Sequence, residues 1–313
     1  MSEEVKSYSQ MRKEFYEKYT KKIVPFLQKH ESIRKIKLFT AIAVAIILIF
    51  WGSFLVYLVG STGAHGKSAE GTLKLAFMLY ALAYLSWTWI KKGFENKIKE
   101  KIMPTVCSCF GDMKWSNRKY SGGHIFSESN VIPNYTSEFY DDIFKGSYKD
   151  VNIEIVESEY DVGRGRNRRI VFNGVIVKLD MNKSFTGHTV IKPNSLMHIS
   201  PSSKLRFTEF EDIEFNKKFD VFTNDEVDAR YLITPTFMVR LKNMTTAFKA
   251  NSVSCAFFGN FLIVAMSTRK DLFSICSLTK PIDDRAQYFL MYEEIFSIIR
   301  LIDHFKLDQK IGL

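Results

Sequence analysis

The chain has 313 residues, of which 46% are apolar and 25% are charged. These proportions are close to the average of globular proteins and argue against a largely disordered chain. The net charge of +10 is uneven, because residues 1–101 carry 17 Lys and Arg against 8 Asp and Glu. A basic chain can indicate nucleic-acid binding, but here the charge surrounds apolar segments, so no nucleic-acid partner is expected.

Residues 1–37 predict an amphipathic cytoplasmic helix. Apolar side chains recur there at helical spacing, at Val5, Tyr8, Met11, Phe15, Tyr19 and Ile23. Pro25 predicts a break or a kink after them. The helix either packs beneath the membrane segments together with the juxtamembrane helix of residues 91–103 or lies on the anionic leaflet through its Lys and Arg side chains, and the sequence leaves both arrangements open.

Residues 38–90 predict a transmembrane hairpin of two helices, 38–59 and 73–90. The first segment contains no Asp, Glu, Lys, Arg or His, and a helix of that length spans a hydrocarbon core of about 30 Å. The polar stretch before it is too long for a cleaved signal peptide. The second segment is shorter, and a buried or re-entrant helix is the alternative.

The charges that flank the hairpin predict its orientation. Basic residues precede the first segment and follow the second, namely Arg34, Lys35, Lys37, Lys91, Lys92, Lys97, Lys99 and Lys101. The loop between the segments has only Lys67, balanced by Glu70. Basic residues are retained on the cytoplasmic side, so both termini are expected to be cytoplasmic in a multi-pass membrane protein.

Residues 91–103 predict a juxtamembrane helix, and residues 104–313 predict a cytoplasmic domain. The alternating segments 151–160 and 169–181 predict a β-hairpin with a basic tip. Further strands are predicted over Thr189–Lys192, Lys204–Phe210, Lys218–Phe222, Ser252–Phe258 and Phe261–Ser267. Helices are predicted after a capping box at Thr223–Glu226, after Thr234-Pro235 and after Pro281. The predicted fold is an α+β cytoplasmic domain preceded by a two-helix transmembrane hairpin.

The hairpin tip carries the first candidate binding residues: Arg164, Arg166, Arg168 and Arg169. Four cations this close repel one another, so a lipid headgroup or an acidic partner is a functional reason for them. A solvated turn is the alternative. The glycines of the tip do not have the spacing of a phosphate-binding loop, and the segment joins two strands rather than a strand and a helix.

A second candidate group consists of Asp225, Asp228 and Arg230, which together with His188 form a hypothetical enzyme pocket. The carboxylates of this region could also bind a divalent metal, but Asp225 is already explained as a helix-start residue. Cys107 and the nearby Cys109 lack the second ligand pair of a zinc site. No metal and no cofactor is expected, and the four cysteines are expected to be reduced thiols.

Three stretches of the sequence resemble the bacterial membrane-protein family named Domain of Unknown Function 3137. They are FKGSYKDVNIEIVESEY at 144–160, VFNGVIVKLDMNKSFTGHTVI at 171–191 and FEDIEFNKKFDVFTNDEVDARYLITPTFMVRL at 210–241. The resemblance covers roughly residues 100–313, together with the two-helix arrangement before them. It implies location in a bacterial inner membrane and no established activity.

The leading functional hypothesis is a membrane-anchored cytoplasmic binding or scaffold module that is not an enzyme. The lipid bilayer is the expected partner, with a protein partner or a homo-oligomer as further candidates. The alternatives are a membrane-anchored enzyme and a subunit of an oligomeric membrane complex. For the complex, the small residues Ala41 and Ala45 offer a packing face.

Overall fold

The computed structural model describes residues 7–63, 66–117, 119–181, 184–248, 250–268 and 272–305. Two compact units are present, and each combines separated stretches of sequence. The helical unit comprises Arg12–Thr105 and Ile275–Phe289, and the sheet unit comprises Met1–Met11, Val106–Ser274 and Leu290–Leu313.

The N-terminal part of the chain forms two long helices that contain the predicted spans. Helix α1 covers Tyr8–Lys18, a π-helical turn covers Tyr19–Ile23, α2 covers Val24–Thr62 and α3 covers Lys67–Cys107. Pro25 does not end the helical path, which runs from α1 through the π-helical turn into the first turn of α2, where Pro25 lies. The irregularity at this point is the π-helical turn directly before Pro25. The predicted loop is shorter than expected, since α2 continues until Gly63 ends it in the left-handed conformation.

Small residues form the contact between α2 and α3 in the helical unit. Ala41 and Gly52 are buried on α2, and Ala76 and Ala83 are buried on α3. A side chain at Gly52 would lie 2.9 Å from the ring of Tyr80. Small residues allow helices to approach closely in a membrane, where helix association depends on packing.

The large apolar side chains of α2 and α3 point outwards. Phe39, Phe50, Phe77 and Trp89 are each between 64% and 80% exposed. Both helices are long and apolar enough to cross a membrane, and an outward apolar surface is what a bilayer would cover.

The apolar face of α1 and of the following turn is covered by protein. Within the helical unit, the ring of Phe15 lies 5.1 Å from that of Phe289, and the ring of Tyr19 lies 5.9 Å from that of Tyr288. Phe15 and Tyr19 are buried. The ring partners of this face are residues 288–289, a segment that neither of the two arrangements expected from the sequence includes.

The sheet unit is built on nine antiparallel strands in the order β1-β2-β3-β4-β9-β8-β5-β7-β6. The strands are β1 Lys114–Ser116, β2 Ser137–Tyr148, β3 Val151–Val162, β4 Arg169–Asp180, β5 Thr189–Pro193, β6 Arg206–Thr208, β7 Phe219–Thr223, β8 Ser252–Phe258 and β9 Phe261–Ser267. The remaining helices are α4 Gly123–Glu128, α5 Ile213–Asn216, α6 Glu226–Leu232, α7 Pro235–Ala247, α8 Arg285–Ile299 and α9 Leu301–Phe305. The α+β fold and the two predicted β-hairpins, β3–β4 and β8–β9, are confirmed.

The starts of two helices differ from the sequence-based expectation. Helix α6 is capped by Asp225, whose carboxylate accepts a hydrogen bond from the backbone N–H of Asp228, while Thr223 is the last residue of β7. The predicted capping box was therefore placed two residues too early. Helix α8 begins at Arg285, four residues after the predicted start at Pro281.

Candidate ligand-binding cavity at one end of the sheet

Strand register brings several chain segments together at one end of the sheet, which we call the Pro193 end. Strand β5 ends there opposite the start of β7, because Pro193 pairs with Phe219. Strand β8 starts there opposite the end of β9, because Ser252 pairs with Ser267. Strand β4 also starts at this end, at Arg169.

Polar side chains replace apolar ones on one sheet face near this end. Val190, Phe222 and Ala256 lie on that face within the core. Because side chains alternate along a strand, the residues two positions further on β5 and β7, Lys192 and Asp220, lie on the same face. Polar residues at inward positions of an otherwise apolar face indicate a functional site.

These residues line a cavity of about 340 Å³. Its apolar wall consists of Val131, Pro133, Val171, Phe172, Pro193, Ile199, Phe222 and Ala265, and its polar wall of Lys192, Ser195, Asp220, Ser252, Ser254 and Ser267. A volume of this order and a mostly apolar wall with a few convergent polar groups are typical of small-ligand sites.

Lys192 is the only charged group of the cavity that has no partner among the described residues. Its ammonium makes neither a hydrogen bond nor an ion pair with them, and burial lowers its pKa. The hydroxyls of Ser252 and Ser254 are likewise without a described partner. Hydrogen-bond donors are therefore available on one side of the cavity for an anionic group.

Asp220, unlike Lys192, has partners within the protein, because both of its carboxylate oxygens make polar contacts. One oxygen accepts a hydrogen bond from the backbone N–H of Ser195 at 3.0 Å, and the other lies 2.8 Å from Nδ1 of His198. His198 has a positive φ of 45° and its ring packs on Phe207. These contacts hold residues 194–199 beside the cavity, and they leave Lys192 as the cation that faces it.

A second, more open cavity of about 510 Å³ provides a comparison. It is lined by Lys145 and Lys178, but both ammonium groups bind the carboxylate of Glu154, at 3.1 and 2.7 Å. These two ammonium groups therefore already have an anion from the protein, and the third lysine of that cavity, Lys114, is exposed. Lys192 differs from Lys145 and Lys178 in lacking an anionic partner among the described residues.

The four arginines of the hairpin tip do not behave as one group. Arg168 binds Glu159 at 3.1 Å and Asp161 at 2.8 Å across the base of the tip. Arg164, Arg166 and Arg169 are exposed and have no partner in the described part of the chain. Three of the four predicted binding residues are thus available to an external anion, and binding by them stays a prediction.

The second predicted group has structural contacts. Asp228 accepts a hydrogen bond from the backbone N–H of Gly187 at 3.0 Å, in addition to its part in the cap made by Asp225. Arg230 binds Glu226 and Glu211, at 2.7 and 2.6 Å. These contacts fasten α6 to its surroundings, and ligand binding by Asp225, Asp228 and Arg230 is untested.

His188 lies in the same region but is held by backbone contacts. Its Nε2 lies 2.8 Å from the carbonyl oxygen of Ser129, and burial lowers its pKa. The structure gives this histidine a structural contact rather than a nucleophile or a metal partner among the described residues.

The four cysteines are buried thiols. Burial raises the pKa of Cys107 and of Cys276 to about 12, so neither is a reactive thiolate at neutral pH.

Lys192 was not singled out from the sequence, although a signal for it exists. It continues the inward series of Val190 on a short strand. A lysine at the end of a strand usually reaches solvent, and the part-burial of this one depends on residues distant in sequence that line the same cavity.

Residues 170–307 match the family model described as Protein of unknown function (DUF3137). The resemblance predicted from the sequence is confirmed over that part of the chain. No curated protein matches the sequence. Among solved structures, the mycobacterial trehalose monomycolate transport factor A, TtfA, is similar with a TM-score of 0.38 and 10% identity, over 67% of this chain and 95% of that chain. A similarity of this size supports no conclusion about the present chain.

Proposed function

We propose that this protein is a membrane-anchored module that binds a small ligand with an anionic head and an apolar body in the Lys192 cavity. The observation that carries the proposal is the part-buried ammonium of Lys192 without a partner among the described residues. Burying a cation costs free energy unless an anion accompanies it. A carboxylate or phosphate ester would supply that anion and would accept hydrogen bonds from Ser252 and Ser254.

The apolar wall defines the other half of the ligand. Phe172, Phe222 and Val171 belong to the sheet, and Ile199 belongs to the loop of residues 194–199 that follows β5. Burial of a hydrocarbon contributes about 25 cal/mol per Å² of apolar surface. The proposed ligand is therefore an amphiphile, whose head is recognised by charge and whose body is recognised by burial.

Replacing Lys192 with methionine should abolish binding without unfolding the protein. With the purified full chain in detergent, sodium octanoate is expected to raise the thermal midpoint of the parent. The free energy of unfolding should rise by about 2.7 kcal/mol when the octanoate concentration is one hundred times its Kd. The K192M protein should gain nothing, and octanol should raise neither midpoint as strongly because it lacks the anionic head.

The matched control is Lys178→Met, which removes a lysine of the same sheet that binds Glu154. This variant should keep the octanoate response.

Because burial lowers the pKa of Lys192, the charged form destabilises the folded state below the ordinary lysine pKa. K192M without ligand should therefore be more stable than the parent at neutral pH, with a gain that shrinks as the pH approaches that ordinary value. An unchanged octanoate response in K192M would refute the proposed site.

The anchor in this proposal is the hairpin of α2 and α3, with both chain termini on the cytoplasmic side of a bacterial inner membrane. Flanking charge supports this orientation, although Arg34 is buried and bound to Glu31, so Lys35 and Lys37 carry the signal before the apolar segment 38–59 of α2.

A reporter fused after Leu313 should show cytoplasmic activity in bacterial cells. A cysteine introduced at Ser61, an exposed residue near the end of α2, should react with an impermeant maleimide added from outside. The four native cysteines are buried and serve as an internal control. Periplasmic activity of the fusion would reverse the orientation.

A further inference from the structure

Two loops flank the cavity at the Pro193 end of the sheet. One is the apolar loop, residues 194–199, which follows β5 and contributes Ser195 and Ile199 to the wall. The other is the arginine tip, residues 163–169, which leads into β4. Val171 and Phe172 lie directly after that tip and belong to the same wall. The cavity wall therefore runs from the apolar loop to the stretch of β4 that follows the arginine tip.

The apolar loop exposes its side chains to an unusual degree. Leu196 is 100% exposed, Met197 is 78% exposed and Ile199 is 69% exposed. Ile170, which directly follows the arginine tip, is also 55% exposed. Clustered exposed apolar groups mark interaction surfaces, whereas single ones are ordinary.

The charge beside this apolar surface is positive. The guanidinium groups of Arg164, Arg166 and Arg169 have no partner among the described residues. The apolar loop itself contains no acidic residue. Apolar side chains that insert and cations that remain at the headgroups are the combination that binds an anionic leaflet.

We infer that the Pro193 end of the sheet docks on the surface of an anionic bilayer, with the apolar loop inserted and the arginine tip at the headgroups around the mouth of the cavity. The occupant is a bilayer rather than a protein, because the exposed apolar groups lie on loops beside unpaired cations, whereas specific protein interfaces are depleted of charge at their centre. Resting on the proposed function, this inference names the source of the ligand. An anionic amphiphile would enter the cavity from the leaflet.

Insertion of the apolar loop can be measured in the full chain reconstituted into vesicles of phosphatidylglycerol and phosphatidylcholine. A cysteine at Met197 carries an environment-sensitive fluorophore, and the lipids carry bromine on their acyl chains as a quencher. The matched control is Val227→Cys. Val227 is also apolar and is 81% exposed, but it lies on α6, beyond the Thr223 end of β7 and away from Pro193.

The label at position 197 should be quenched by the brominated lipid, and the label at position 227 should not. Quenching at 197 should fall in pure phosphatidylcholine, and also when Arg164, Arg166 and Arg169 are replaced with serine, because each cation near the surface contributes to the attraction. Equal quenching at both positions, or none at 197, would overturn the docking.

A second readout separates the docking from the cavity. Leu196→Ser combined with Met197→Ser, two residues outside the cavity wall, should remove uptake of a brominated fatty acid supplied in the bilayer, while octanoate from solution still raises the thermal midpoint. K192M should show the opposite pattern, with normal quenching at 197 and no octanoate response. If the protein with native cavity residues binds octanoate but its label at position 197 is not quenched by the lipid, the docking is wrong and the cavity stands. If octanoate does not raise the thermal midpoint of the parent, the proposed function is wrong.

Discussion

Replacement of Gly174 with alanine is expected to destabilise the sheet unit by about 3 kcal/mol or more. Gly174 lies in the middle of β4, with Ser158 of β3 on one side and Ser267 of β9 on the other. Its φ of +155° lies outside the range that side chains usually adopt, and an added Cβ would overlap the carbonyl oxygen of Met266. Since that oxygen belongs to the backbone of the next strand, the conflict can be relieved only by separating β4 from β9.

The measurement is thermal or denaturant unfolding of the full chain in detergent, with Gly259→Asn as the matched control. Gly259 also has a positive φ, of 64°, but nothing lies within 4 Å of its missing side chain. Asparagine tolerates the left-handed conformation, so the control should lose less than about 1 kcal/mol. Comparable stability of the two variants would show that β4 and β9 are not packed as described.

The spacing of apolar residues predicted the strands and helices in which that spacing is regular. The hairpin of β8 and β9 has the predicted bounds, and the apolar segments of α2 and α3 were visible as long runs with no charged residue other than Lys74. Strand β2 was missed because Asp141 and Asp142 interrupt its alternation at a bulge. The carboxylate of Asp142 is buried inside the fold, where it accepts a hydrogen bond from Nε1 of Trp115 at 2.6 Å.

The candidate site was less predictable than the fold, because its defining property is long-range. Arg164 and Arg169 could be selected from the sequence, since charge density is a local property. Lys192 could not, because its burial depends on a sheet face built from four strands and on the contact between Asp220 and His198. Likewise, no local pattern indicates that Arg168 differs from the other arginines of the tip; only the register of β3 and β4 brings Asp161 within reach.

The second large effect is expected in the helical unit, at an ion pair that fastens residues 275–289 to the long helices. The side chain of Arg34 is 7% exposed, binds the carboxylate of Glu31 at 2.6 Å and donates a hydrogen bond to the carbonyl oxygen of Leu278 at 2.9 Å. Glu31 also accepts a hydrogen bond from the backbone N–H of Ile282. The backbone N–H of Leu278 donates to Glu95 of α3. One short segment is thereby tied to both helices.

Glu31→Ala should therefore lower the free energy of unfolding by about 2 to 4 kcal/mol, because it leaves a buried guanidinium without its carboxylate. The matched control is Glu70→Ala, which breaks the exposed ion pair between Glu70 and Lys74 on α3. It should lower the free energy of unfolding by less than about 1 kcal/mol.

The hydrogen bond from Arg34 lowers the pKa of Glu31. Its contribution to stability should then be complete above the ordinary glutamate pKa and should be lost as the pH falls through the lowered value. Unfolding midpoints of parent and E31A, measured in detergent, should differ most at neutral pH and converge in acid, and a difference that persists unchanged in acid would exclude the ion pair as its cause.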